Sequence, residues 1–441
     1  MRSTMAMTVV LVMALAGCSV SDEDPARRPA GSGPVTIRVP ADAATISAAV
    51  GAARPGDLVL VSPGVYREKV RITRPGVTLR GADRNKVVID GEGKRSDGVV
   101  VTAAGVSVEN LTVTRHLFNG VLVTGMTDES GTGIGRGSDG YQTLDPKRFP
   151  PVRDFAVRYV TASNNGLYGI YAFDATAGVI EDNYASGGAD SGFYVGQCKP
   201  CDTVVRRNVA ERNAVGFENA NASGGLYVVG NRFTANRVGL TIASNYQEAL
   251  IPQQQSVVAG NLIGYNDQQS SPAHAEGGFG IGVGISGGRD NLIARNRIAG
   301  NPAAGVVLAS AEDLAPLGNR VLGNTLEGNG LDVAYAASAR APGERNCFDG
   351  NSPATEAPAG LLAAAPCPAG NAKGPGVPYP QLRQPGGLSF LEVPAPPDQP
   401  GMPDPARMPA QVKVLPPSQA EIDSLPVPDA ALFADRAGAS R

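Results

Sequence analysis

The sequence predicts an all-β fold, a parallel solenoid of short stacked strands, on three observations. First, a β-branched residue followed closely by Asn recurs along the chain. Ile180 leads to Asn183, Val205 to Asn208, Val229 to Asn231, Val258 to Asn261, Ile293 to Asn296 and Val321 to Asn324, with 23 to 35 residues from one Asn to the next. Second, each unit has a Gly followed by alternating apolar residues, as in Gly169-Ile170-Tyr171-Ala172 and Gly192-Phe193-Tyr194-Val195. In four units an Asn stands three or four residues before that Gly: Asn165, Asn213, Asn236 and Asn301. Third, 42% of the 441 residues are hydrophobic but only 18% are charged, with 56 Gly, 35 Pro and no Trp. That balance excludes a coiled coil or a charged helical bundle. The net charge of −3 without any basic run excludes nucleic acid as a partner.

Strands of about four residues cannot bury themselves. Stacked in register about 4.8 Å apart, they form a continuous core of Val, Ile, Leu and Phe. The recurring Asn then stack into ladders of side-chain amides. A propeller would need longer blades, and a leucine-rich repeat more Leu at its fixed spacing.

Taken in order, the chain opens with Arg2 and an apolar run from Met5 to Ala16, too short to span a bilayer and proportioned like a secretory signal over residues 1–17. The run ends at Leu15-Ala16-Gly17-Cys18, which resembles the bacterial lipobox. That resemblance implies a lipid on Cys18, membrane attachment through it and an extracytoplasmic location. Residues 18–34 read as a polar tether. A short amphipathic helix follows Thr45 and ends before Pro55. Then come Gly56-Asp57-Leu58-Val59-Leu60-Val61, Val70-Arg71-Ile72 and Val87-Val88-Ile89-Asp90. This opening, with the repeats, resembles right-handed parallel β-helix proteins of the pectin-lyase-like superfamily, including their NosD-like branch. The resemblance implies the right hand of the coil, a helix capping the first rung, and a β-helix domain over residues 35–369. Residues 370–441 are Pro-rich without hydrophobic period and read as a disordered tail.

Outside the cytosol, cysteines pair by default. The expected scheme is Cys347 with Cys367 and Cys198 with Cys201, although three connectivities are formally possible. A redox role for Cys198-Lys199-Pro200-Cys201 would want a helix N-terminus, and the motif lies among strands. With two His, His116 and His274, no metal or cofactor is expected.

Strand alternation locates an outward column: Leu122, Tyr171, Tyr194, Glu218 and Thr241. Tyr171, Tyr194 and Glu218 form a ledge on which sugar rings could stack and hydrogen-bond, with Asp174 and Gln197 at the ends of the same strands. The longest insertion, from Met126 to Pro151, would wall the ledge with Arg136, Lys147 and Arg148. Further insertions run from Ser244 to Gln255 and from Asp267 to Gly278, the last holding His274 and Glu276. Catalytic candidates are Asp174, Asp190 and Tyr194, with turn chemistry the other role open to Asp190. Tyr171 and Phe173-Asp174 resemble part of a motif of mannuronan epimerases, with Ala175 and Thr176 where that motif has Pro and His. The resulting expectation is a lipid-anchored, monomeric β-helix that binds polysaccharide or another cell-envelope glycan. The alternatives are a lyase, epimerase or hydrolase acting on uronate-containing glycans, and a non-catalytic accessory lipoprotein.

Overall fold

A computed structural model describes residues 33–127, 147–352 and 355–434. Its described strands form three long sheets of 13, 11 and 10 strands that wrap one core, and a two-stranded one, with parallel neighbours one turn of the coil apart. Nearly all pairs are parallel; the exception is Gly343–Asp349 with Ala372–Gly374 near the C-terminal end. The Gly-led strands occupy one sheet, among them Ile170–Phe173, Ser191–Cys198, Val215–Ala222, Val238–Ala243 and Ile281–Ser286. Their inward residues, such as Phe193, Phe217, Leu240 and Val283, are fully buried.

The expected Asn ladders are present, and there is more than one. Asn183, Asn208, Asn231, Asn261, Asn296, Asn324 and Asn351 pass amide hydrogen bonds down the stack at 2.9–3.0 Å. Asn213, Asn236, Asn266, Asn301 and Asn329 form a second ladder at another corner. The residue before each first-ladder Asn turns the chain with a positive φ, for example Asp182 (59°), Arg207 (54°) and Gly260 (63°). A left-handed residue is costly for anything but Gly, so the satisfied amides behind it hold the corner.

The capping helix spans Ile46–Ala52. Thr45 Oγ1 accepts from Ala48 N, and the Glu68 carboxylate accepts from the Ile46 and Ser47 amides. These bonds satisfy donors that a helix start leaves open, and Ile46, Ala49 and Val50 close the first rung.

Both disulfides have the expected pairing, Cys198–Cys201 and Cys347–Cys367. The second closes a 20-residue separation at the end of the coil. A Cys347→Ser/Cys367→Ser variant should lose about 3 kcal/mol through a freer unfolded chain. Denaturant unfolding checks this, and a loss under about 1 kcal/mol would refute it.

The expectation of a disordered tail is corrected over residues 370–434. The composition does exclude regular structure for most of it, but single side chains of the solenoid grip its backbone. Arg237 donates to the carbonyls of Pro385 and Gly386, Arg84 to Pro400, Arg80 to Pro405 and Arg407, and Asn164 to Phe390 and Val393. The chain then returns, burying Ile422 against Ala259, Leu292 and Ala294, and Phe433 against Leu262 and Ala299. A Pro-rich strand has few amide donors, so its carbonyls are natural acceptors for Arg and Asn.

Candidate active site

The outward column is continuous. Tyr171 pairs with Tyr194, Tyr194 with Glu218, Glu218 with Thr241, Thr241 with Gly284, and Gly284 with Val307. The two ends of that column meet different surroundings.

At Tyr194 it is roofed. The ring is 2% exposed and packs with Met126, Phe149, Phe173 and Ala220. Tyr171 stands edge-on to it at 4.8 Å and Tyr168 is tilted at 4.9 Å. The Tyr194 hydroxyl donates to Glu248, which arrives on the Ser244–Gln255 insertion. Burial, then the Glu248 charge, pushes the Tyr194 phenol well above its ordinary range. The expectation of an exposed sugar-stacking ledge at Tyr194, and of Tyr194 as a catalytic residue, is therefore corrected: insertion residues occupy the space a sugar would need. Tyr171 is half-buried in the same aromatic cluster. Gln197 is corrected too. It is fully buried, accepts from Ala249 N and donates to Met126 Sδ, so it fastens two insertions instead of facing a glycan.

Asp174 is 2% exposed, adopts φ 53° and has no hydrogen-bond partner for Oδ2 among the described residues. Burial raises its pKa to about 7. Such a value suits a general acid, but Asp174 does not line the cavity described below. A Cβ placed on Gly125 would meet its Oδ2 at 2.6 Å, so the carboxyl is boxed in beside that strand end. Its proposed catalytic role is corrected on that ground. Lys147 and Arg148 are exposed and do not line the cavity either; the Arg148 guanidinium sits 4.9 Å from the Phe149 ring centre. Arg136 and Cys18 lie outside the described residues.

At Glu218 the column opens into a cavity of about 540 Å³. Glu218, Thr241, Gly284 and Val307 contribute to its lining, with Tyr246, Phe279 and Tyr379 among its aromatic walls. Gly284 leaves room on the floor: a Cβ there would meet only Ile281 Cγ2, at 4.0 Å. Glu218 and His274 line the cavity; Asp190 does not, but the three converge, each with a polar atom within 4.8 Å of the others. His274 Nε2 and Asp190 Oδ1 are 3.1 Å apart. His274 meets Asp190 from the Asp267–Gly278 insertion, three residues beyond Ser271. Fully buried Arg237 clamps that insertion, bonding Ser271 Oγ at 3.0 Å and Ser271 O at 3.1 Å while it holds the tail.

The environment shifts two of the three groups, Glu218 and His274. Burial first, then the Asp190 charge and hydrogen bond, pushes the Glu218 carboxyl well up, toward its neutral form. For His274, burial alone would lower the pKa, but the hydrogen bond and charge of Asp190, with Glu276, outweigh it and raise it. Glu218 Oε2 and Thr241 Oγ1 are buried with no hydrogen-bond partner among the described residues. Buried polar atoms normally have partners; two orphans on neighbouring rungs of a cavity mark a place for ligand hydroxyls. With His274 Nε2 facing Asp190, the cluster is arranged for proton sharing.

Among the sequence candidates, the structure brings Asp190 and Glu218 together and leaves Asp174, Tyr194 and Gln197 in the packing. It adds His274, whose signal was its insertion between two strands of the coil.

A family model for a right handed beta helix region matches residues 95–263. No curated protein matches. Solved structures similar to the chain include the mannuronan C-5 epimerase AlgE4 A-module of Azotobacter vinelandii, at 18% identity and TM-score 0.42, covering 69% of this chain and 87% of that one. Pectate lyase Pel9A is similar at 14% identity and TM-score 0.44, covering 77% and 82%. An alginate lyase from Paenibacillus follows at 15% identity and TM-score 0.33, covering 73% and 97%. The fold is a parallel β-helix, and residues 95–263 match the right handed beta helix region.

Proposed function

We propose that the cavity is a carbohydrate-processing site whose chemistry is hydrolysis of a glycosidic bond. The observation that carries this reading is the Asp190–Glu218–His274 cluster at the end of a cavity, with Glu218 Oε2 left unpartnered. Glu218, whose carboxyl burial pushes toward the protonated form, serves as general acid to the leaving oxygen. Asp190, hydrogen-bonded to Glu218 and to His274, positions that proton, and the attacking water returns one to the Glu218 carboxylate. A lyase or epimerase acting on uronates needs a cation against the sugar carboxylate. Neither Lys nor Arg lines the cavity among the described residues, and the imidazole that does, His274, is engaged by Asp190, so the favoured substrates are neutral or amino sugars. The lipobox and the two disulfides support placing the enzyme outside the cytoplasm, held by lipid on Cys18.

The test is a reducing-sugar assay on β-1,4-glucan, chitosan, polygalacturonate and polymannuronate. Turnover is expected on one of the first two. Glu218→Gln should lower kcat at least about 100-fold without loss of stability, because the amide is neutral like the acid it replaces. Wild-type activity should fall as pH rises through the raised Glu218 pKa, since the proton is then lost. Turnover confined to the uronate polymers would refute the substrate argument. A second reading, binding without turnover, is favoured by the aromatic walls Tyr246, Phe279 and Tyr379; glycan retention by wild type and Glu218→Gln alike, with no products, would establish it.

A further inference from the structure

The cavity has a blind end, and its chemistry sits there. Along the column, the floor runs from Glu218 through Thr241 and Gly284 to Val307, residues on four consecutive strands. At the spacing of paired strands this is about 14 Å, the length of about three sugar units. One rung beyond Glu218 in the other direction stands Tyr194, buried beneath Met126 and Phe149 and tied to Glu248. A pyranose seated against Glu218 therefore cannot continue toward the Tyr194 rung. Asp190 and His274 close on the same position, so the reacting bond lies beside the plug and the remaining units extend over Thr241 and Gly284.

We propose that the site accepts the end of a glycan chain and acts on terminal units, with Tyr194 as the stop and Gly284 as the opening for the units that follow. This rests on the hydrolytic reading above. It adds that a polymer is shortened from one end and is not cut internally. Gly284 suits the second role. With no side chain it leaves the floor open, and its φ lies outside the left-handed region, so a larger residue changes the space without straining the backbone.

The experiment uses the full chain with hexasaccharides of β-1,4-glucan and of chitosan, fluorescently labelled at one end, and follows the first products by chromatography. The expected first products are a mono- or disaccharide and its complementary penta- or tetrasaccharide. The viscosity of the parent polymer should fall slowly relative to sugar released. First products that are two trisaccharides, or an early collapse of viscosity, would overturn end-on action while leaving hydrolysis intact. No cleavage of any polymer or oligosaccharide tested would overturn both. Gly284→Phe supplies an independent arm: KM for the hexasaccharide should rise tenfold or more. An unchanged KM, in a variant whose thermal unfolding matches wild type, would overturn the placement of the chain along this column.

Discussion

Asp174→Asn should make the protein more stable at pH 8.5 and change it little at pH 4. Asp174 is buried beside Gly125, and its Oδ2 has no partner among the described residues. Burial favours the neutral acid and lifts the pKa from 3.8 to about 7. At pH 4 the folded protein holds the proton, and the group adds little cost. Between pH 4 and pH 8 the unfolded chain ionises freely while the folded one resists, so stability falls by about 4 kcal/mol as pH rises through that window. An amide cannot ionise, so the variant avoids the loss. It also tolerates the φ of 53° at this position, since Asn enters the left-handed region more readily than most residues. Part of the gain is offset if the buried amide finds no acceptor, which sets the expected difference at about 2–4 kcal/mol at pH 8.5. Urea unfolding of both proteins at the two pH values measures it. A difference that is equal at both pH values would refute the ionisation argument. Because Asp174 lies off the cavity, turnover should survive the same substitution; its abolition would return Asp174 to the catalytic set.

The sequence made the coil legible because each strand repeats a local signal. A β-branched residue before Asn and a Gly before alternating apolar residues act within a few positions. Their recurrence sets the register, and alternation alone placed Tyr171, Tyr194 and Glu218 in one column. What covers that column has no such period. Phe149, Met126 and Glu248 come from insertions of unequal length, and their burial of Tyr194 depends on tertiary folding that no local pattern encodes. His274 is similar: one imidazole on a Gly-rich return, it reaches Asp190 only because Arg237 clamps the insertion. The tail was misread for a related reason. Its Pro content correctly predicts no regular structure, but Arg80, Arg84 and Arg237 bind its main-chain carbonyls, and carbonyls leave no mark in a sequence.

Asn261→Ala should cost about 4–5 kcal/mol, more than its loss of size would suggest. Asn261 sits mid-ladder and is fully buried. Its Nδ2 donates to Val228 O at 2.8 Å and to Asn296 Oδ1 at 2.9 Å. Its Oδ1 accepts from the Asn231 backbone at 2.8 Å and from Asn231 Nδ2 at 3.0 Å. Alanine removes all four bonds and strands two donors and a carbonyl in a space water does not reach, at about 1–3 kcal/mol per unsatisfied group. Asn351, at the ladder's last rung, is half-buried and accepts from Asn324 at 3.0 and 2.9 Å. Solvent can replace part of those bonds, so Asn351→Ala should cost about 1 kcal/mol. Asn261→Asp separates hydrogen bonding from packing. Its shape is retained, but an ionised carboxylate has no donor for Val228 O or Asn296 Oδ1, so it should destabilise as much as Ala at pH 7 and less at pH 4, where the acid regains a proton to donate. Stacked repeats can open locally, so the measurement is amide hydrogen exchange at rungs 226–234 and 256–264 alongside global unfolding. Faster exchange at those rungs in Asn261→Ala, with the capping helix unchanged, is the expected pattern. A cost below about 1 kcal/mol would mean that apolar stacking alone holds the coil, with the amide ladder contributing nothing measurable.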